Sequence, residues 1–277
     1  MKKHRWYIIM VFIFIVGLSV LLYPIISKIW NQRNQSGVVH DYNYTVGKIS
    51  QDEAGQLLKE AEEYNAKLQE VTAPFRNFDL VEGYEDVLDI SGTGIMGYLV
   101  IDKINTELPI YHGTSEGVLQ IAVGHLQGSS LPIGGTGTHA VLSAHNGLPE
   151  AELFTHLEQM EVGDTFTIYV LDKILTYQVD QIRVVEPDDK SALYAEPEKD
   201  YCTLMTCTPY GVNTHRLLVR GLRVEENGSG AYLSGDAYQI DTEIVSVWIF
   251  ILILLMILLV FIPVNFARHR RTDMKGE

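Results

Sequence analysis

The stretch whose reading decides the fold is Thr203-Leu-Met-Thr-Cys207-Thr-Pro-Tyr-Gly211-Val-Asn-Thr-His-Arg216-Leu-Leu-Val-Arg-Gly221. Its first part alternates like a half-buried strand, and Leu217, Leu218 and Val219 read as a second, largely buried one. Between them Thr208-Pro209-Tyr210-Gly211 supplies turn chemistry, since proline presets one backbone angle and glycine tolerates positive φ. The unit is a β-hairpin. Cys207 ends its first strand and Arg216 begins its second, so a thiol faces a fixed positive charge across one loop, an arrangement that favours the nucleophilic thiolate.

A cysteine in a strand is more often a core filler than a nucleophile. Two features favour the nucleophile here: the strand-end position among polar neighbours, and a charge partner that cannot be deprotonated. The other cysteine, Cys202, cannot bridge to it, because five residues of extended strand span roughly 16 Å and a disulfide needs Cα atoms within about 7 Å. Cys202 reads as a buried small hydrophobe.

Working outward, the 277 residues are 47% hydrophobic and 20% charged, enough for one substantial core. The formal charge of −14 is unevenly spread: the terminal segments carry +6 and the middle about −20. An acidic middle argues against nucleic acid as a partner. Scattered acids without a dense ligand cluster give no metal site, and no cofactor motif is present. Residues 6–27 and 244–267 are apolar runs long enough to cross a bilayer. Basic residues flank both on the terminal side, which places tails 1–5 and 268–277 in the cytoplasm and the region between outside. The first run lacks the small-residue cleavage site of a signal peptide.

Gln32 to Lys48 reads as a polar, extended entry. Ser50-Gln-Asp-Glu53 is a capping box, and Leu57, Leu58, Ala61, Tyr64 and Leu68 follow at helical spacing, predicting a helix over 51–70 on the domain's flank. Ala73-Pro74-Phe75 stops it and opens an irregular stretch. From Gly92 the strand candidates are 95–101, 140–144, 165–171, 174–185, 203–207 and 216–224, with short helices expected over 115–123 and 149–160. Short strands without alternating long helices point to a β-barrel or sandwich. The glycine- and serine-rich segment 227–243 reads as a tether.

A thiol nucleophile needs a proton acceptor and donor, the role histidine fills near neutral pH. His145 ends the strand 140–144 and enters the turn Asn146-Gly147, repeating the placement of Cys207. By spacing it leads, ahead of His125 and His112. His215, adjacent to Arg216, points to the opposite face.

Ser143-Ala-His145-Asn-Gly-Leu-Pro149, Thr203-Leu-Met-Thr-Cys207-Thr-Pro-Tyr-Gly211 and Asn213-Thr-His-Arg216-Leu-Leu-Val-Arg-Gly221 together resemble the signature segments of sortases, specifically the class C, pilin-polymerising branch. Leu108-Pro-Ile-Tyr-His-Gly113, Gly124-His125 and Ser129-Ser-Leu-Pro-Ile-Gly-Gly135 are similar too, as is the layout with a span at each end. The resemblance implies a mainly-β fold, an eight-stranded barrel over 91–226 preceded by a helical and lid segment over 28–90. It implies His145, Cys207 and Arg216 as catalytic residues, and as partners pilin subunits bearing an LPxTG-like signal and an acceptor lysine, handled at the membrane. Two other readings are a housekeeping sortase that anchors surface proteins to a cell-wall precursor and a non-catalytic, membrane-tethered scaffold for pilins.

Class C sortases typically carry a lid with Asp-Pro-aromatic, its acid pairing with the catalytic arginine. Here the matching stretch is Ala73-Pro74-Phe75, which keeps the ring and lacks the acid. That predicts a lid held by Phe75 contacts alone and often open, with Asp79 as an alternative source of the acid. The plainer reading makes the stretch a helix stop with an aromatic core anchor.

Overall fold

A computed structural model describes residues 2–148 and 151–224, with side chains from Phe12 onward. The expected second span, its tether 227–243 and the C-terminal tail lie outside the described residues. The chain begins with one uninterrupted helix, α1 (Lys2–Val46), so the segment expected to be extended is helical almost to its end. The reason is tertiary: Val38, Val39, Tyr42 and Val46 recur every three or four residues and pack on Ile95, Tyr98 and Tyr169 of the barrel wall. Packing of one face carries a helix that propensity alone would not. The Tyr42 hydroxyl fixes the register, donating to Met96 O at 3.0 Å and accepting from Leu171 N at 2.8 Å.

Helix α2 (Gln51–Gln69) starts as expected, with Ser50 Oγ accepting from Glu53 N at 3.2 Å. It buries Leu58, Ala61, Tyr64 and Leu68 against the barrel core. A one-turn helix, α3 (Pro74–Asn77), follows.

The strands are β1 (Ile95–Ile101), β2 (Thr106–His112), β3 (Val123–His125), β4 (Thr138–Ser143), β5 (Thr165–Val170), β6 (Lys173–Val185), β7 (Asp200–Thr208) and β8 (His215–Arg223), with the short helix α4 (Glu116–Leu119) before β3. They close into a barrel in the order β1-β2-β3-β4-β7-β8-β6-β5. Only β2–β3 and β4–β7 pair in parallel. The C-terminal ends of β1, β4, β6 and β7 therefore share one rim, the mouth; the N-terminal ends of β6 and β7 lie at the other, the floor. Inward residues such as Leu99, Ile110, Leu142, Phe166, Ile168 and Leu204 fill the barrel. Helix α2 lies under the floor rather than along the flank: Asn65 brackets Leu131, Gln69 donates to Gly137 O at 2.9 Å, and Glu62 pairs with Lys173.

Three local readings differ from the sequence expectation. Strands β2 and β3 were not among the strand candidates; β2 contains Pro109, and β3 is only three residues long. The helix expected over 115–123 stops at Leu119, because Val123 is taken into the sheet opposite Ile110. The helix expected over 149–160 is, in its described part, turns and a 3-10 segment at Leu157–Gln159. Leu153 there adopts φ 43°, which no α-helix tolerates, and the chain coils so that Leu153, Phe154, Leu157 and Met160 are all buried.

Candidate active site

Cys207 and Arg216 are direct partners in the β7–β8 ladder, which puts their Cβ atoms about 5 Å apart. The hairpin holds the thiol and the guanidinium at the mouth, both half-buried. Cys207 is a free thiol, and Cys202, five residues back, is free and fully buried in the core.

His145 arrives from the neighbouring strand. The parallel β4–β7 pairing ends at Ser143–Met205, and the two chains stay zipped beyond it. Ala144 N donates to Met205 O at 3.2 Å, Thr206 Oγ1 to Ala144 O at 2.8 Å, and Asn146 Nδ2 to Cys207 O at 3.0 Å. Two residues past the last registered pair on each side stand His145 and Cys207. The structure thus brings all three sequence-predicted residues to one rim, on three adjacent strand ends.

The polar groups at this rim are unusually open. His145 Nε2 is shielded from solvent yet makes no hydrogen bond among the described residues; the nearest carboxylate oxygen, Glu116 Oε1, is 3.7 Å away. Asn146 Oδ1 is likewise buried without a partner. Among the described residues Arg216 donates only to backbone carbonyls, His215 O at 3.1 Å and Asn213 O at 3.4 Å. Its remaining N–H groups stay available for a substrate oxygen.

Four other histidines among the described residues have partners of their own. His125, fully buried, bonds Tyr84 Oη at 2.8 Å and Ser130 O at 2.8 Å, and burial pushes its pKa down to about 4. His112 is held between Gly94 O and Val87 O, and His139 between Tyr194 O and Thr203 Oγ1. All three lie toward the floor, below the level of Cys207. His215 faces Glu186 at 3.4 Å.

The segment Ala73-Pro74-Phe75 is packed down on the barrel wall in this structure. Phe75 is only 6% exposed and packs with Val141, Leu193 and Leu218, with Met205 alongside. Met205 and Leu218 form the pair two residues below Cys207 and Arg216 on the same face, so the ring sits about 7 Å from them along the strands. Tyr194 meets the ring edge-on at 5.3 Å, and Lys190 Nζ lies 5.6 Å from its centroid. The ring is not the lid's sole contact: a Cβ on Gly128 would come within 2.7 Å of Pro74 O and 2.9 Å of Phe75 Cα, so only glycine lets the lid backbone lie this close. Ala73 enters at φ 53°, a left-handed conformation that costs an L-residue about 1–2 kcal/mol. Asp79 is exposed and makes no ion pair with Arg216 among the described residues, so it does not replace the missing acid.

Sequence reasoning missed two contributors. Asn146 was visible only as a turn residue, whereas it also anchors the carbonyl of Cys207. Glu116 carries no motif, and only the fold brings it beside His145. A cavity of about 310 Å³ opens at the floor, lined by Gly134, Lys173, Asp200 and Arg223. It lies at the other end of β7 from Cys207.

The sortase-domain family model matches residues 99–224, a span that includes all three residues at the rim. Sortase D of Bacillus subtilis is 31% identical over 172 residues, 61% of this chain and 83% of that protein. The chain belongs to the sortase family. Sortases are cysteine transpeptidases, and a half-buried free thiol on a closed β-barrel is in keeping with that chemistry. Among solved structures, sortase C1 of Streptococcus agalactiae is 48% identical with a TM-score of 0.63, covering 69% of this chain and 99% of that one. Sortase C of Streptococcus pneumoniae, described as giving insight into catalysis and pilin substrate specificity, is 42% identical with a TM-score of 0.61, covering 68% and 97%. The likeness to solved structures is therefore to the class C branch.

Proposed function

We propose that this sortase is a pilin polymerase, anchored by residues 6–27 and 244–267 with its barrel outside the cell, and that Cys207, His145 and Arg216 are its catalytic residues. One observation carries the assignment: a free thiol, an unpartnered imidazole nitrogen and a guanidinium with spare donors meet on three adjacent strand ends. The Cys207 thiolate attacks the Thr–Gly carbonyl of an LPxTG-like signal, forming a tetrahedral adduct whose oxyanion accepts hydrogen bonds from Arg216. Collapse forms the Cys–threonyl thioester and breaks the C–N bond, the glycine amine leaving with a proton from His145. A lysine ε-amine of the next subunit then attacks the thioester. His145 takes its proton, the thiolate departs, and an isopeptide bond remains.

The lid fits a device that covers the groove until substrate displaces Phe75. The sortase C of Streptococcus pneumoniae, with its reported bearing on pilin specificity, supports this substrate class over a cell-wall anchor. Mixing the full chain with a pilin tests the reading: a covalent ladder on a denaturing gel, lost completely in Cys207→Ala, is the expected outcome. Single-subunit products without a ladder would favour surface-protein anchoring instead, and a ladder that survives Cys207→Ala would refute the mechanism.

A further inference from the structure

Helix α1 sets the direction in which the barrel faces. Tyr42 sits near the floor, bonded to Met96 and Leu171 at the floor ends of β1 and β5. Going back along the helix, Gln35 Nε2 donates to Ile121 O at 2.8 Å, just before the mouth end of β3. Further back, Lys28 Nζ pairs with Glu152 Oε1 at 2.5 Å and Gln32 Nε2 donates to Glu152 Oε2 at 3.1 Å. Glu152 belongs to the loop that leaves His145, folded back on it by the bond from Phe154 N to His145 O. Lys28 to Tyr42 spans about 21 Å of helix and β1 about 20 Å of strand, so α1 runs the length of β1 and at Lys28 reaches the loop that follows His145.

Immediately beyond Lys28 the helix turns apolar and unburied, with Phe12, Ile13, Val20, Tyr23 and Ile26 all exposed. Trp30, 67% exposed, stands where interfacial aromatics gather. Loops toward the mouth carry large exposed apolar side chains, Ile121, Tyr210 and Val212 among them, the last two each 65% exposed. The barrel as a whole is acidic and would not adsorb to an anionic surface unaided, so a fixed helix is what can hold it there.

We infer that the Lys28–Glu152–Gln32 clamp holds the barrel mouth-down, with the loops bearing Tyr210, Val212 and Ile121 seated in the headgroup layer of the bilayer that α1 crosses. The inference rests on the membrane-anchored transpeptidase reading and adds an orientation to it: the rim bearing Cys207 opens at the lipid surface.

The test uses the full chain carrying Cys207→Ala, so that an introduced cysteine is the accessible thiol, Cys202 being fully buried. Val212→Cys at the mouth and Thr136→Cys at the floor are each labelled with an environment-sensitive fluorophore and reconstituted into phosphatidylcholine–phosphatidylglycerol vesicles containing a headgroup spin-labelled lipid. Quenching several-fold stronger at Val212 than at Thr136, with the difference shrinking in Glu152→Ala, is the expected result. Equal quenching, or stronger quenching at Thr136, overturns the orientation; a difference unmoved by Glu152→Ala overturns the clamp. Cleavage of a sorting-signal peptide by the unlabelled wild type in the same vesicles is scored in parallel. Cleavage with equal quenching leaves the transpeptidase reading standing, and asymmetric quenching without cleavage supports the orientation alone.

Discussion

The two ends of strand β7 hold their central polar group differently. At the floor, the Asp200 carboxylate accepts from Gly135 N at 2.8 Å, from Tyr177 Oη at 3.0 Å and from Thr138 Oγ1 at 3.5 Å. At the mouth, Cys207 stands among groups left more open: among the described residues a histidine nitrogen and an amide oxygen make no hydrogen bond, and a guanidinium donates only to carbonyls. Buried polar atoms without partners cost about 1–3 kcal/mol each. The floor engages its carboxylate from three sides, although Arg223 Nη1 there and Tyr64 Oη beneath it are also buried without a hydrogen bond among the described residues; the mouth instead gathers its open groups around one thiol.

Four experiments break or sharpen that contrast. The largest effect is expected from Arg216→Lys, which keeps charge and loses the planar fork; transfer should fall by about 10²–10³, the cost of one oxyanion donor. Peptide-transfer kinetics at unchanged thermal stability check it, and near-wild-type rates would remove Arg216 from the chemistry. Next is acid sensitivity rooted near the floor. His125 stays neutral in the fold, with its pKa pushed down to about 4 by burial, whereas in the unfolded chain it takes up a proton near pH 6.5. The unfolded state therefore binds more protons between these values, so stability is full above pH 6.5 and is lost as pH falls toward 4, by about 3 kcal/mol. Urea titrations of the wild type and His125→Gln across that range should give a flatter profile for the variant.

Smaller is the lid. Phe75→Ala removes a ring whose burial is worth at most about 3 kcal/mol, so alkylation of Cys207 should accelerate by roughly tenfold or more, each tenfold being about 1.4 kcal/mol. Equal rates would mean that the ring shields nothing. Smallest is Tyr177→Phe, which deletes one hydrogen bond to Asp200 and should lower stability by about 1–2 kcal/mol with transfer unaffected. A loss of activity there would show that the two ends are not independent.

What the sequence made legible follows the range of the interactions involved. The β7–β8 hairpin is local: a turn, two alternating strands and the facing pair Cys207 and Arg216 are all encoded within 19 residues. Helix α2 announces itself through its cap. The partner histidine was a ranking by strand-end placement, and only the parallel β4–β7 ladder brings His145 level with Cys207. Strand β2 was hidden because Pro109 argues against a strand, although it pairs with Tyr98 in a closed sheet. The lower half of α1 was hidden because its polar residues outnumber the four apolar ones that pack on the wall. Glu116 and the backbone approach at Gly128 depend wholly on tertiary placement.

The parallel pairing of β4 with β7 carries a further consequence. Parallel neighbours cannot be joined by a tight turn, and between these two the chain must first build β5 and β6 on the far side of the barrel. The thiol meets its imidazole only when that detour is complete and the cylinder has closed. Under the proposed mechanism a half-folded copy is thus chemically silent, and the ability to acylate would itself be a readout of a closed barrel.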